Sequence, residues 1–221
     1  MSYTKKYWEY QKNIGSNSYH SNYVKIKFQK HISEEDTVLD FGCGGGFILN
    51  ELNCKSKYGI EINSSAIVQA KIFGISISPN FETLKNNFFD IIISNSALEH
   101  ILNPADVLKE CYRVLKPGGK IIFSVPHEEL SFSFKKGDIN QHLYTWSPMS
   151  AGNLIQHCGF EIIDVKVTKV IQPLYASIIY KFSGINGYVF FGKIYRYLRY
   201  LISPFKTIGV SADIIIEAYK K

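Results

Sequence analysis

The stretch Val38–Gly46, which reads VLDFGCGGG, is an apolar run that ends in a turn with four glycines. The run Thr37–Phe41 is typical of a short buried strand, and Phe47–Asn53 predicts a helix directly after the turn. Glycine permits positive φ angles and lets a ligand approach the backbone closely. Ligands in open α/β sheets bind at the carboxyl ends of the strands. The stretch therefore predicts a ligand site where the first strand ends.

The composition is that of one folded domain. Of the 221 residues, 46% are hydrophobic and 20% are charged, which excludes a disordered chain. Lys and Arg outnumber Asp and Glu by 25 to 19, and the net charge of +6 favours acidic partners. The four cysteines form no CxxC pair, which disfavours a zinc site or a disulfide framework. The polar start MSYTKKYWEYQKN is unlike a secretory signal, and no apolar run of about 18 residues predicts a spanning helix. We therefore expect a soluble, cytoplasmic protein.

Apolar β-branched runs alternate with segments of helical period along the chain. Six further strands are predicted at Lys57–Ile62, Gly74–Ser78, Phe89–Ser94, Lys120–Val125, Phe160–Val167 and Ala212–Ala218. Helices are predicted at Ser64–Phe73, from Asn103 to about Leu115, and at Pro148–Cys158. Strands that alternate with helices indicate an α/β fold with a mainly parallel sheet covered on both faces.

A carboxylate at the end of the second strand complements the glycine turn. Glu61 can accept hydrogen bonds from both hydroxyls of an adenosine ribose, which predicts a nucleoside-bearing cofactor. The dinucleotide fingerprint GxGxxG would place its third glycine where this chain has Phe47. Asp40, just before the turn, disfavours a pyrophosphate and suits a cationic ligand. S-adenosylmethionine, which carries a sulfonium and an ammonium group, fits this pattern.

Several motifs together resemble the class I S-adenosylmethionine-dependent methyltransferases. VLDFGCGGG resembles that family's first motif and YGIEIN its second, and FDIIISNSALEHILNPADVLKECYRVLKPGGKIIFSVP resembles the segment that follows. The resemblance covers about Asp36–Val125, with weaker similarity in His142–Val165. It implies a single domain over residues 1–221 with a Rossmann-like, seven-stranded, mostly parallel sheet. Helices cover both faces, and the last strand is expected to be antiparallel.

The resemblance also assigns residues to S-adenosylmethionine. These are Asp40, Gly42, Cys43, Gly44, Glu61, Ile62, Asn95 and Ser96. The residues of the glycine turn surround the methionine part, Glu61 holds the ribose, and Ile62 packs on adenine. Asn95 and Ser96 line the floor near the sulfonium. The family often has an acidic residue after the third strand that meets the adenine amine, and here Ser78 or Asn80 stands in its place.

Polar residues after the fourth and fifth strands are candidates for acceptor chemistry, because histidine is the usual base near neutral pH. They are His127, His142, Tyr144 and His100. His127 in VPHEE is placed to pair with Glu128 or Glu129 as an oriented base. The segment that contains His142 and Tyr144 resembles a loop of family members that act on sugars and small metabolites. We expect these two side chains either to contact the acceptor or to pack beneath it. We expect His100 to have a structural or floor role, and no metal site is expected.

Three segments outside these motifs are assigned to the surroundings of the site. Residues 1–33 are expected to form a helical lid, or helices that only pack on the sheet, and residues 126–147 an acceptor-side loop. Residues 172–210 form a basic, aromatic insert between the last two strands. The insert has no acidic residue and places Tyr188, Phe191, Tyr195 and Leu198 at helical spacing, with the charges mostly on another face. It is open whether this insert packs on its own domain, binds an anionic substrate or partner, or makes peripheral membrane contact through residues 188–205.

The sequence thus favours methyl transfer to an O or N atom of a small, anionic metabolite. A sugar nucleotide, a phosphorylated compound or a carboxylate would meet this description. We expect a monomer or a homodimer and no nucleic-acid partner, because no RNA-binding module is apparent. The alternatives are an RNA methyltransferase, a nicotinamide-dependent oxidoreductase and a non-catalytic cofactor-binding subunit.

Overall fold

The structure of the protein, a computed structural model, describes residues 5–16, 18–128, 134, 136–169, 175–202 and 212–221. The strands are β1 (Thr37–Phe41), β2 (Ser56–Ile60), β3 (Ser76–Ser78), β4 (Phe89–Asn95), β5 (Leu115–His127), β6 (Glu161–Lys169) and β7 (Ala212–Tyr219). Within the described ranges they form one seven-stranded sheet in the order β3-β2-β1-β4-β5-β7-β6.

The sheet is mixed, as predicted. The pairings among β1 to β5 are parallel, whereas β7 runs antiparallel to both β5 and β6. The boundary that differs most from the prediction is the start of β5, which lies at Leu115 rather than at Lys120. Leu115 pairs with Phe89, the register then shifts, and Lys120 pairs with Ile91. The glycines between Leu115 and Lys120 therefore form an irregular part of the strand rather than a turn before it.

The helices are α1 (Lys5–Gly15), α2 (Ser18–Gln29), α3 (Phe47–Glu51), α4 (Ser64–Ile72), α5 (Pro104–Val114), α6 (Pro148–His157) and α7 (Ala176–Ile202), and a 3-10 turn covers Leu98–His100. Helix α4 begins where the Asn63 side chain accepts hydrogen bonds from two backbone N–H groups. Helix α6 begins at a capping box formed by Ser147 and Ser150. These local signals explain why the predicted and observed starts of both helices agree.

Two apolar clusters cover the two faces of the sheet. One cluster contains Leu39, Ile92 and side chains of α5 and α6. The other contains Val38, Ile91 and side chains of α2, α3 and α4. Successive residues of a strand point to opposite faces, so a continuous apolar run buries side chains on both. This arrangement leaves the carboxyl ends of the parallel strands as the place for a site.

The insert between β6 and β7 contains α7, which packs against α2. Asn22 Nδ2 donates a hydrogen bond of 3.0 Å to the Tyr180 hydroxyl, and the ring centroids of Tyr23 and Tyr188 are 5.6 Å apart. A non-helical conformation at Gly184, with φ 61°, kinks α7. Residues 170–174 and 203–211 lie outside the described residues. None of the helices in the described chain is both long enough and apolar enough to cross a membrane.

Candidate functional site

A cleft of about 220 Å³ lies at the carboxyl ends of β1, β2 and β4. Six of the predicted cofactor residues line it, namely Gly42, Gly44, Glu61, Ile62, Asn95 and Ser96. Small-molecule pockets are usually about 300–1,000 Å³. The cleft is smaller than that, and Trp8 and Gln11 of α1 form part of its wall. The first helix therefore borders the cleft, and its role as a lid stays a prediction.

The glycine turn has a backbone that other residues would not adopt at this place. Gly42 has a φ of 75°, and a Cβ atom there would lie 2.5 Å from the Cβ of Ala97. Gly44 has a φ of 53°, but a Cβ atom there would meet nothing within 4 Å. The N–H groups of Gly42 and Cys43 both donate to the Ile60 carbonyl, which ties the turn to β2. Gly42 is thus required for packing, while Gly44 leaves its backbone open to the cleft.

Glu61 connects the end of β2 to the glycine turn. Its Oε2 accepts a 2.9 Å hydrogen bond from the Gly44 N–H, and its Oε1 accepts 2.8 Å bonds from the N–H groups of Ile62 and Asn63. These bonds hold the carboxylate in the cleft wall. No residue in the described ranges forms an ion pair with Glu61.

Asp40 and Cys43, also predicted as cofactor residues, lie behind the cleft wall. Asp40 is 2% exposed and has no ion-pair partner in the described part of the chain. Burial, and secondarily the charge of Glu61, raises the pKa of Asp40 well above its usual value. Cys43 packs on β2, since a Cβ at Gly59 would lie 2.5 Å from its Sγ, and burial raises the pKa of its thiol. Glu61, a carboxylate without a described cationic partner, makes this end of the sheet suited to a cationic ligand, and a cation bound there would favour the ionised form of Asp40.

The two candidates for the adenine amine are occupied locally. The Ser78 hydroxyl donates to the Asn80 carbonyl at 2.7 Å and lies 3.0 Å from Thr83 Oγ1. The Asn80 side chain accepts a hydrogen bond from the Glu82 N–H. Both polar groups therefore stabilise the loop after β3, and neither lines the cleft. Ile62, by contrast, is 62% exposed and lies in the cleft wall.

His100 and His142 meet beside the cleft, with their ring centroids 4.9 Å apart. His142 Nδ1 lies 2.5 Å from Glu128 Oε1. Glu128 thus pairs with His142 rather than with His127, which is exposed at the end of β5, while Glu129 lies outside the described residues. Burial, followed by the nearby His142, lowers the pKa of His100 to about 4, so His100 is neutral near pH 7.

Tyr144 anchors the acceptor-side loop instead of presenting a free hydroxyl. Its hydroxyl donates a 2.7 Å hydrogen bond to the Leu102 carbonyl, and its ring stacks on Trp146. The Leu143 N–H donates to the Glu99 carbonyl at 2.9 Å. These contacts fasten the described part of residues 126–147 to the 3-10 turn after β4.

Lys27 of α2 is a site residue that the sequence pattern did not reveal. Its ammonium forms an ion pair with Asp213 and lies 3.3 Å from Asn95 Oδ1 and 3.4 Å from Ser124 Oγ. It therefore joins the ends of β4, β5 and β7, and it orients Asn95. Burial, and secondarily Lys27, lowers the pKa of the neighbouring His20. Nothing in the local sequence distinguishes Lys27 from the other lysines of this helix.

Comparison with known proteins finds a match in the central part of the chain. Residues 39–123 match the family model of the methyltransferase domain, and this range includes the glycine turn, Glu61 and Asn95. The chain is 35% identical over 100 residues to the ubiquinone biosynthesis O-methyltransferase of Nitrosococcus oceani, which covers 39% of this chain and 42% of that relative. The chain thus spans less than half the length of the curated relatives that it matches.

Solved structures resemble nearly the whole chain, including the elements that flank residues 39–123. A SAM-dependent methyltransferase from Thermotoga maritima covers 97% of this chain and 94% of its own, with a TM-score of 0.60 and 17% identity. Phosphoethanolamine N-methyltransferase 2 of Haemonchus contortus, in complex with phosphomonomethylethanolamine and S-adenosylhomocysteine, covers 90% of this chain and 52% of its own, with a TM-score of 0.58 and 20% identity. At these identities the likeness shows the fold, which is the Rossmann-like fold of class I methyltransferases.

Proposed function

We propose that the protein is an S-adenosylmethionine-dependent methyltransferase that methylates an O or N atom of a small, anionic metabolite. One observation carries the proposal. Asp40 and Glu61, two carboxylates without a described cationic partner, flank a glycine turn at the carboxyl edge of the sheet. A ligand with a positively charged sulfur complements these charges better than a pyrophosphate does. The methyltransferase-domain match over the same residues supports this assignment.

The residues of the cleft fit this cofactor. Glu61 offers acceptor oxygens to the ribose hydroxyls, and Gly44 leaves open space at the backbone for the methionine part. Ile62 offers an exposed apolar surface to adenine. When bound, S-adenosylmethionine supplies an activated methyl group, and the protein then has to align the acceptor and exclude water.

Residues on the acceptor side hold the floor of the cleft in place. Lys27 orients Asn95 through a 3.3 Å contact, and Asn95 and Ser96 lie in the cleft wall. Trp8 of α1 forms part of the cleft wall, where it would limit the access of water. Helix α1 therefore acts as a lid that moves to admit the cofactor, because the cleft is narrower than a typical small-molecule pocket.

The acceptor that we propose carries a negative charge. The chain carries a net charge of +6, and a neighbour of the same fold was crystallised with a phosphorylated amine. We place the reaction in the cytoplasm and expect a monomer or a homodimer.

Calorimetry with S-adenosylmethionine, followed by a methyl-transfer assay, tests the proposal. We expect cofactor binding by the wild type and by Glu34→Gln, an exposed carboxylate before β1, and weakened binding by Glu61→Ala. Labelled methyl groups should then pass to one class among sugar nucleotides, phosphorylated amines, carboxylates and RNA. Failure of a folded wild type to bind the cofactor would remove the proposal. Transfer to RNA alone, or fluorescence of a bound nicotinamide, would favour the corresponding alternative.

A further inference from the structure

The buried Glu99 and the half-buried His100 and His142 form a cluster whose carboxylate has no role in the proposed donor site. The Glu99 side chain is 0% exposed, and neither of its oxygens has a hydrogen-bond partner in the described structure. His142 Nε2 lies 4.0 Å from Glu99 Oε1, which is too long for a hydrogen bond. Burying an ionised carboxylate without a partner is costly, so such a group is protonated or is compensated by a cation or a donor. Burial accordingly raises the pKa of Glu99 to about 8.

The distances within the cluster suit a shared cation. One ligand atom from each of Glu99, His100 and His142 lies within 4.8 Å of the others. In a tetrahedral zinc site with bonds of about 2.0–2.2 Å, two ligand atoms lie roughly 3.3–3.6 Å apart. Binding would therefore draw the widest pair of ligand atoms together by about 1.2–1.5 Å, which side-chain rotation can supply.

The surroundings of both histidines have the form that metal ligands need. His142 is held through Nδ1 by the Glu128 carboxylate, and this leaves its Nε2 on the side of Glu99. His100 is hydrogen-bonded to the backbone carbonyl of Asn140. Metal-binding histidines usually donate their other ring N–H to a carboxylate or a backbone carbonyl, which fixes the tautomer and the orientation of the ring.

We propose that Glu99, His100 and His142 bind one divalent cation of the zinc class. Two imidazole nitrogens and one carboxylate oxygen are a ligand set found in zinc sites that keep an open position. Ligand spacing along the chain does not predict this site, because Glu99 and His142 are far apart in the sequence. His100 also lines the donor cleft, so the cation would lie beside the reacting groups. That last point rests on the proposed function, whereas cation binding does not.

Calorimetric titration of the chelator-treated 221-residue chain with zinc chloride alone tests the site without cofactor or acceptor. We expect one zinc ion per chain and a loss of that binding in Glu99→Gln and in His142→Asn. Glu128→Gln should bind zinc about 10- to 100-fold more weakly, because it loosens the His142 ring without removing a ligand. His157→Asn, which changes an exposed histidine at the end of α6, should bind as the wild type does.

The titration can overturn the site in two ways. Absence of zinc binding by the wild type would overturn it. Zinc binding by Glu99→Gln and Glu128→Gln as tight as that of the wild type would overturn it as well. Circular dichroism establishes that each variant is folded, and Glu128→Gln keeps the test decisive if Glu99→Gln does not fold. Cofactor calorimetry on the same samples separates a failure of this site from a failure of the proposed function.

A second inference rests on a different feature, the outer face of α7. The inner side of α7 packs on α2 through Tyr188, which is 3% exposed. The outer face bears apolar side chains at helical spacing, each at least 40% exposed: Phe190, Phe191, Ile194, Tyr197, Leu198 and Leu201. A contiguous exposed apolar surface of this kind marks an interaction site.

The charges around this apolar face of α7 favour one kind of partner. Lys193 and Arg196 are exposed beside it, and the sequence has no acidic residue between Asp164 and Asp213. A second copy of the chain would bring like charges together, whereas an anionic bilayer complements them and accepts the aromatic side chains at its interface. We infer that α7 lies on the surface of an anionic membrane.

Co-sedimentation with lipid vesicles tests this inference. The wild type should bind vesicles of equal parts phosphatidylcholine and phosphatidylglycerol, but not phosphatidylcholine alone. The double variant Ile194→Ser, Leu198→Ser should lose binding. The matched variant Val68→Ser, Ile72→Ser, which removes two exposed apolar side chains from α4, should keep it. Equal binding by both variants, or a dimer that only the α7 variant abolishes, would refute the membrane assignment.

Discussion

Replacement of Glu61 by Gln removes one charge from the cleft wall and preserves the size of the side chain. In the structure Oε1 accepts hydrogen bonds from the N–H groups of Ile62 and Asn63, and Oε2 accepts one from Gly44. A glutamine keeps the two bonds at Oε1, but its amide NH2 faces the Gly44 N–H and cannot accept the third bond. A hydrogen bond to a charged group contributes about 1.5–3 kcal/mol. Losing one such bond to the ribose corresponds to about 10- to 100-fold weaker cofactor binding.

Calorimetry with S-adenosylmethionine and with S-adenosylhomocysteine measures this loss. Both ligands carry the same ribose, so Glu61→Gln should weaken both to a similar extent. Glu34→Gln removes an exposed charge from the opposite end of β1 and should leave both affinities unchanged. A folded Glu61→Gln protein that binds both ligands as tightly as the wild type would refute the assigned role.

Three further predictions concern stability in urea. Burial raises the pKa of Asp40, so the wild type loses stability as the pH rises through that raised pKa. Asp40→Asn should therefore be more stable than the wild type at pH 8. This gain in stability should vanish below pH 3.8, the ordinary pKa of the carboxyl group. Gly42→Ala and Gly74→Ala both force alanine into a left-handed conformation, at about 1–2 kcal/mol. Gly42→Ala should cost more, because its new methyl group would lie 2.5 Å from another Cβ atom, whereas Gly74 has open space. Lys27→Met leaves the nearly buried carboxylate of Asp213 unpaired and should lower the free energy of unfolding by about 3–5 kcal/mol. Lys55→Met, which breaks the exposed pair with Glu35, should lower it by less than about 1 kcal/mol. Equal costs in either matched pair would contradict the packing or the burial assigned here.

Local sequence patterns sufficed for most of the sheet. The apolar runs of β1 and β4 bury side chains on both faces, and a run of that kind is visible without tertiary information. The start of β5 was not predictable, because Pro117 and the two glycines after it are typical of a turn, while the pairing of Leu115 with Phe89 is a long-range contact.

The donor side of the site was also predictable from local sequence patterns. Gly42 and Gly44 belong to one turn, and Glu61 ends the next strand, so sequence spacing alone brings them together at one sheet edge. Their assignment to the cofactor stays a prediction that the calorimetry above tests.

The acceptor side depends on contacts between distant segments. Lys27 forms an ion pair with Asp213, although the two residues lie near opposite ends of the sequence. Glu128 pairs with His142 instead of with His127, its neighbour in the sequence. Neither contact leaves a periodic or compositional signal. The sequence also grouped Tyr188 with Phe191 on one face of the insert, but Tyr188 is buried against α2 and Phe191 is 46% exposed.

A crystal structure of the protein with S-adenosylhomocysteine tests the central claim most directly. The account predicts the ligand in the cleft between Gly44 and Glu61, with both ribose hydroxyls within hydrogen-bond distance of the Glu61 carboxylate and with Trp8 displaced from its present position. A ligand bound elsewhere, or one in this cleft whose ribose does not contact Glu61, would contradict it.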